Sequence, residues 1–463
     1  MDLSIVGIYF LVMLLIGAYV YRKGRASRGD SFYVADRKGS GLLITGSLLA
    51  TIVGASATVG MAGWGGFLKG LSGGWWLLAG TLGLLVLSLF WARTVRRFGL
   101  YTLPELVEKQ YGREAGFVAS ILIVVSWVGI IAAQISAAGA ILSVLISDSS
   151  TLTVVIPALV FITYTILGAQ YSIIRTDFIQ SGILMVGILI TVFMVLNEVG
   201  WLSGLRDSLP SEYFSFPVRD GFGWYDLVSL VILAGATYVV GPDIYSRIFC
   251  ARDEKVAKTS ALSVAMLIVP IGFAIVLIGM GAKVLFSDAD YQQAFPLVIQ
   301  EVLPVGLSGL VIAALLAAIM SSADTCLLTT STILSEDIAK KLLPDISERK
   351  GLLISRLGIF AIGIVALVVV LETDKGIIDN LLLAYTVFTS GIVLPVLAGF
   401  YKEKLRVNSW GAMAAIVGGG TTALVVKLKE IDNLELLGLG VCVLLLFGVS
   451  WATKRNGLWQ QRT

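Results

Sequence analysis

Residues 317–325, Ala317-Ala318-Ile319-Met320-Ser321-Ser322-Ala323-Asp324-Thr325, lie inside an apolar stretch running from roughly 296 to 335. Such a stretch crosses a membrane as a helix, because about 20 apolar residues rising 1.5 Å each span a ~30 Å hydrocarbon slab. Hydroxyls in a helix often bond back to the carbonyl four residues earlier, which accounts for Thr329, Thr330 and Ser331. It does not account for Asp324, since a carboxylate at mid-membrane costs several kcal/mol unless paired or hydrated. Ser321, Ser322, Asp324 and Thr325 fall within about one turn. They offer hard oxygen ligands, suited to a hard cation such as sodium.

The composition around this stretch agrees. Of 463 residues, 57% are hydrophobic and only 14% charged, against about 25% charged in soluble domains; the mean hydropathy is +0.90. So little polar surface cannot coat a water-soluble body of this size. Thirteen apolar segments follow one another, roughly 2–21, 41–68, 73–92, 115–146, 151–169, 173–196, 225–246, 258–284, 296–335, 352–372, 378–401, 408–426 and 434–453. The first starts with Asp2 and has neither a basic leader region nor a small-residue cleavage site, so it reads as a span rather than a signal. If the spans alternate, 27 of the 34 Lys and Arg fall on the side reached after the first span. The positive-inside rule makes that side the cytoplasm. The expectation is a multi-pass protein of the plasma (inner) membrane, N-terminus outside and C-terminus cytoplasmic. No loop is long enough for a soluble domain.

The chemistry available is narrow. The chain has no histidine, which excludes a Ser-His-Asp triad, a His-ligated metal and a His proton relay. Cys250, Cys326 and Cys442 are far apart, with neither CxxC nor zinc spacing. No nucleophile is paired with a base, so no enzyme is expected. The net charge of +3 suggests no nucleic-acid partner; the surroundings are membrane lipid, and the sequence carries no signal for oligomeric state.

Other polar or small residues interrupt the spans. Ser47 to Gly63 is rich in Gly, Ala, Ser and Thr, and Ala234 to Pro242 has the same character. Small residues permit close helix packing. The alternative is a discontinuous helix whose freed carbonyls and amides face a solute. Two weakened helices five spans apart fit two halves of an inverted repeat. Arg175-Thr176-Asp177 opens the sixth span, either as a helix-dipole acid with a snorkelling arginine or as a step on an ion path. Trp127 and Gln134 share a helix face, a spacing that usually means packing. Asp243 and Arg247, four apart, read as a structural pair.

These residues resemble the sodium:solute symporter family. Thr102-Leu103-Pro104-Glu105 with Tyr111-Gly112 is similar to the family's loop after its second core helix. Arg175 through Gln180 resembles its TDxxQ motif, and Tyr245-Ser246-Arg247 through Lys258 its basic loop. Ala318 through Asp324, followed by Ser331-Thr332 and Asp337-Ile338, is the closest motif. The motifs run in family order over about residues 40–340. The resemblance implies an all-α polytopic protein of about thirteen transmembrane helices with the LeuT-type 5+5 inverted repeat. One transporter domain, 1–463, then comprises a peripheral first helix and loop (1–40), a first repeat (41–196), a second (225–401), and two further helices with a cytoplasmic tail (402–463).

The resemblance also implies a co-transported Na+. Its ligands would be the backbone carbonyls of Ala50, Val53 and Ala318 and the hydroxyls of Ser321 and Ser322. The family's acid on core helix five falls on Asp177. Some members hold a second sodium with that acid and groups just after the serine pair, here Asp324 and Thr325. A carboxylate at 324 would strengthen such a site, pair with a basic residue, or titrate.

The solute would sit beside the interrupted second span. Sugar-binding members ring the hydroxyls with amides and acids, but here Ala57 has no side-chain hydrogen bond to give and the spans are nearly free of Asn. Unpaired hydroxyls cost about 1–3 kcal/mol each, which disfavours sugars. A small carboxylate solute fits better, with its carboxylate on the amides near Gly54 and Ala55 and an apolar wall from Trp64, Trp127 and Tyr238, Gln134 adding an amide. Proline-type amino acids come first, then monocarboxylates, then cationic solutes. Sodium-coupled uptake by alternating access is the expectation; the rival classes are a proton-coupled carrier, with Asp177 and Asp324 as proton carriers, and a channel.

Overall fold

The computed structural model describes residues 1–24, 27–146, 151–373, 377–429, 431 and 434–455. Among them are helices and no strands. Eleven helices are long and apolar enough to cross a membrane, or twelve with one bent pair counted as a span. In chain order these are α1 (Asp2–Arg22), the bent pair α2 (Gly41–Ile52) and α3 (Ser56–Phe67), α4 (Gly70–Arg97), α5 (Arg113–Leu142), α6 (Leu152–Glu198) and α7 (Trp224–Cys250). There follow α8 (Glu254–Leu285), α9 (Leu307–Leu342), α10 (Glu348–Glu372), α11 (Ile377–Gly399), α12 (Ser409–Leu428) and α13 (Leu437–Lys454).

The 47 residues of α6 would reach about 70 Å if straight, twice the hydrocarbon thickness. They do not run straight. Ala169 leaves the helical region with φ 49° and ψ −171°. The Tyr164 hydroxyl then lies 3.1 Å from Ser172 Oγ and 2.5 Å from Thr176 Oγ1, where twelve residues of straight helix would separate the ends by about 18 Å. The chain folds back on itself here, dividing α6 into the fifth and sixth segments read from the sequence.

Both small-residue stretches are breaks. The helix α2 stops at Val53 (φ −88°, ψ 56°), and α3 leaves at 46° to it. The helix α7 is interrupted at Gly241 (ψ 130°) and resumes with Pro242 as its first residue, where proline's missing N–H costs nothing. The two interrupted spans are tied on the face that carries most of the basic loops: Gly39 N donates to Cys250 O and Arg252 N to Gly39 O, each at 2.9 Å.

Burial ranks the helices. In α9, 94% of the apolar window is buried, against 28% in α1 and 22% in α13; the centre of the bundle is therefore the helix carrying Ser321, Ser322 and Asp324. It packs on α5, α6 and α2. Peripheral α1 is nonetheless tied to α9. The Asp2 carboxylate accepts from Gly306 N at 2.8 Å and from Ser308 Oγ at 2.7 Å, satisfying donors at the start of α9. Tyr9 of α1 accepts from Gln180 Nε2 at 2.8 Å and donates to Met320 Sδ.

The Thr-Leu-Pro-Glu motif is a helix start. Thr102 Oγ1 accepts from Glu105 N at 3.2 Å while the Glu105 carboxylate accepts from Tyr101 N at 2.9 Å, a reciprocal cap. The short helix it opens, Leu103–Tyr111, clasps the end of α11 through Tyr111 Oη and Pro395 O at 2.8 Å.

Candidate functional site

In an unbroken helix the Gly54 and Ala55 amides would bond to the carbonyls of Ala50 and Thr51. The break at Val53 separates these partners. The Ala55 amide turns to Gln134 Oε1 of α5 at 2.9 Å. The two carbonyls turn to α9. Ser321 Oγ donates toward Ala50 O at 2.8 Å and Ala318 O at 2.9 Å. Ser322 Oγ lies 2.7 Å from Thr51 O, 3.2 Å from Ala50 O and 3.3 Å from Ala318 O. Five oxygens thus converge around two hydroxyl protons, so most of their lone pairs face one another. That arrangement suits a hard cation. Gly54 makes the approach possible, since a Cβ there would stand 2.2 Å from Ser322 Oγ.

Of the groups that the resemblance names, Ala50, Ala318, Ser321 and Ser322 are thus brought together in space. Val53 marks the end of α2, and the carbonyl that joins Ala50 O at the serine pair from this helix is that of Thr51.

One turn further along α9 lies a cluster of charges. Ser47 Oγ donates to Asp177 Oδ2 at 2.5 Å. The Arg247 guanidinium donates to the same oxygen at 3.0 Å and to Thr325 Oγ1. Both Asp177 and Arg247 have fully buried side chains. Thr325 in turn donates to Ser321 O at 2.6 Å, so this cluster adjoins the serine pair. The i, i+4 spacing of Asp243 and Arg247 suggests that they pair. Instead Arg247 bonds to Asp177, 70 positions away, and to Thr325 Oγ1, with Ser246 Oγ a further contact at 3.2 Å. The place between Asp177 and Thr325 is filled by this guanidinium. Asp324 is buried with both carboxylate oxygens unpartnered among the described residues, as are Asp177 Oδ1 and Gln180 Oε1.

Beside the break is a small central cavity of about 20 Å³, the space of a single water. Gln134, Tyr238 and Ser322 line it, together with Thr51, Thr237, Asp243 and Tyr385. Gly54 and Ala55 form the break above it, and Ala57 is buried one turn on. Trp127 is fully buried, packed edge-to-face on Phe388 at 4.7 Å. Trp64 lies elsewhere: it lines a larger cavity of about 240 Å³ with Lys69, Phe222 and Glu435. The Lys69 ammonium sits 4.7 Å from the centre of the Trp64 ring. A run of rings joins the two cavities, Trp64 to Trp76 at 5.8 Å and Trp76 stacked on Tyr385 at 6.4 Å.

Nothing in the sequence singles out Tyr385, and the i, i+4 spacing of Asp243 and Arg247 suggests a local pair rather than these places. The available signal for Asp243 was its position directly after Gly241-Pro242, at a helix break.

A family model described as the sodium:solute symporter family matches residues 32–419. The chain is 26% identical over 470 residues to sodium/glucose cotransporter 4 of Danio rerio, covering 90% of this chain and 71% of that protein. It is 24% identical over 469 residues to a sodium/glucose cotransporter of Vibrio parahaemolyticus, covering 93% and 86%. It is 24% identical over 442 residues to the osmoregulated proline transporter OpuE of Bacillus subtilis, covering 90% and 87%. A Na+-coupled sialic acid symporter, solved in a substrate-bound outward-open state, superposes with a TM-score of 0.83 at 19% identity, over 97% of this chain and 98% of that one. A nucleobase-cation-symport-1 family transporter in a closed conformation gives 0.62 at 14% identity, over 92% and 95%. With a family model matching residues 32–419 and the fold in agreement over most of its length, this chain belongs to the sodium:solute symporter family: it is a multi-pass membrane transporter, not an enzyme, that moves sodium together with a small solute.

Proposed function

We propose that the solute is a small amino acid of the proline type, carried into the cell by alternating access. In this reading sodium is held by the carbonyls of Ala50 and Ala318, the hydroxyls of Ser321 and Ser322, and one carbonyl from the break, Thr51 in the present conformation or Val53 by the family pattern. The carrying observation is the break itself, which hands two carbonyls to a serine pair beside a small polar cavity. Sodium binding orders α2 and α9 against each other and so shapes the wall of the cavity. The solute carboxylate lies near the Gly54 and Ala55 amides, and its apolar body meets Tyr238, with Trp127 behind. Asp177 lies on the ion's route, held by Arg247 in place of a second ion. The basic face is the cytoplasmic one, which puts the N-terminus outside a plasma membrane.

Relatives named for glucose and for proline are about equally similar, and the scarcity of amides around the central cavity favours the second. One charge moving down 100 mV supplies ~2.3 kcal/mol, enough for roughly 50-fold accumulation. The test is a thermal-shift panel on purified protein with L-proline, L-alanine, propionate, lactate and glucose, each with and without sodium. The expected result is stabilisation by an amino acid that needs sodium. A sodium-dependent shift with glucose alone rejects the amino-acid reading.

A further inference from the structure

We infer that Asp243 receives the positively charged nitrogen of the solute, and so selects solutes that carry an amino or ammonium group. The inference rests on the central cavity being the solute site. Every residue of Pro242–Cys250 is buried except Asp243, and the surface that Asp243 keeps opens on the central cavity. An acid in the first turn of a helix is commonly placed there by the helix dipole, and the amides of Ile244 and Asp243 itself do lie against this carboxylate. That explains the position in the turn but not the direction, toward a cavity with no Lys or Arg among its lining residues. Arg247, the natural partner one turn on, is committed to Asp177 and Thr325. Gly241 keeps the carboxylate's place, since a Cβ there would stand 2.8 Å from Asp243 Oδ1.

The cavity therefore offers two kinds of polar group. Thr51 and Ser322, members of the five-oxygen cluster, line it together with Asp243. An amino acid matches both, its carboxylate toward the sodium and the freed Ala55 amide, its ammonium toward Asp243. A monocarboxylate would bring a second negative charge beside that of Asp243. A sugar would bring Asp243 no counter-charge within the cavity.

The test pairs each amino acid with its analogue lacking nitrogen, L-alanine with propionate and L-proline with cyclopentanecarboxylate, and adds choline and glucose. Binding to purified protein is measured calorimetrically in sodium. The expected result is that only nitrogen-bearing probes bind, and that Asp243→Asn weakens them about 10- to 100-fold while Asp243→Glu retains part of the affinity. The stabilisation of solute-free protein by sodium is expected to persist in both variants, which shows that they are folded. Amino-acid binding unchanged in Asp243→Asn overturns the inference and leaves the proposed function standing. Binding of choline alone, lost in Asp243→Asn, does the reverse. Propionate, cyclopentanecarboxylate or glucose binding as tightly as any nitrogen-bearing probe overturns both, as does a panel in which nothing binds.

Discussion

Ser322 reaches the carbonyls of Ala50, Thr51 and Ala318 from one oxygen, so its loss is felt at once by every partner in the cluster. Ser322→Ala is expected to raise the sodium concentration for half-maximal uptake by about tenfold, the worth of roughly one charge-assisted bond. A sodium titration of uptake in vesicles checks this, and an unchanged midpoint counts against the site. Arg247 makes a different prediction. Removing the guanidinium leaves the Asp177 carboxylate buried beside Ser47 without a counter-charge, a loss of about 3–5 kcal/mol. Arg247→Gln is expected to melt well below the native protein, and adding Asp177→Asn is expected to restore most of the difference; a double-mutant cycle that finds the two effects additive rejects the pair. The contrast shows what residue types convey. Ser321, Ser322 and Asp324 stand out because polar atoms are expensive in an apolar helix, so sequence alone marks them. The partner of Arg247 lies 70 positions away on another helix, and nothing in local spacing encodes it.

At the level of the helix, the interruptions shape the candidate site, and they were legible. A run of Gly, Ala, Ser and Thr supplies little packing to hold a helix together, and Gly241-Pro242 removes one amide and one side chain at a single point. Which carbonyl meets which hydroxyl was not legible, because the 46° bend decides whether Thr51 or Val53 faces α9. The break also needs a support. Gln134 accepts from the orphaned Ala55 amide inside the bundle, so Gln134→Leu is expected to cost about 1–3 kcal/mol of stability and to weaken sodium and solute binding together. Melting curves with and without sodium check this; a variant that melts and responds as the native protein would show that the amide finds another acceptor. The turn at Ala169 was seen in the sequence only as a gap between two apolar segments, although it holds a residue other than glycine at positive φ. Ala169→Gly is expected to raise the melting temperature, with about 1 kcal/mol of backbone strain relieved.

For the whole molecule, the question is how a central cavity of about 20 Å³ communicates with the larger one of about 240 Å³. The stacked pair Trp76 and Tyr385 stands in the run of rings between them and is expected to be the partition. Neither ring carried a signal in the sequence, since aromatics at helical spacing are far more often core than gate. The protein contains its own reporter. Cys326 lines the central cavity, while Cys250 and Cys442 are buried away from it. Tyr385→Ala is expected to speed modification of Cys326 by a thiol reagent applied to the outer face at least severalfold, and sodium with solute to slow it. Labelling at the native rate would place the partition elsewhere.

The bond from Asp2 to Gly306 joins residues 304 positions apart. Ribosomes add about 5–20 residues per second, so the first helix leaves the ribosome roughly 15–60 s before its partner exists. During that interval the Asp2 carboxylate has only water and lipid headgroups for company. The carboxylate sits at the very end of α1, at the membrane's edge, where such a delay is tolerable. The tie between α1 and the start of α9 therefore closes only once α9 has been made, whereas Tyr9 of α1 can meet Gln180 of α6 earlier.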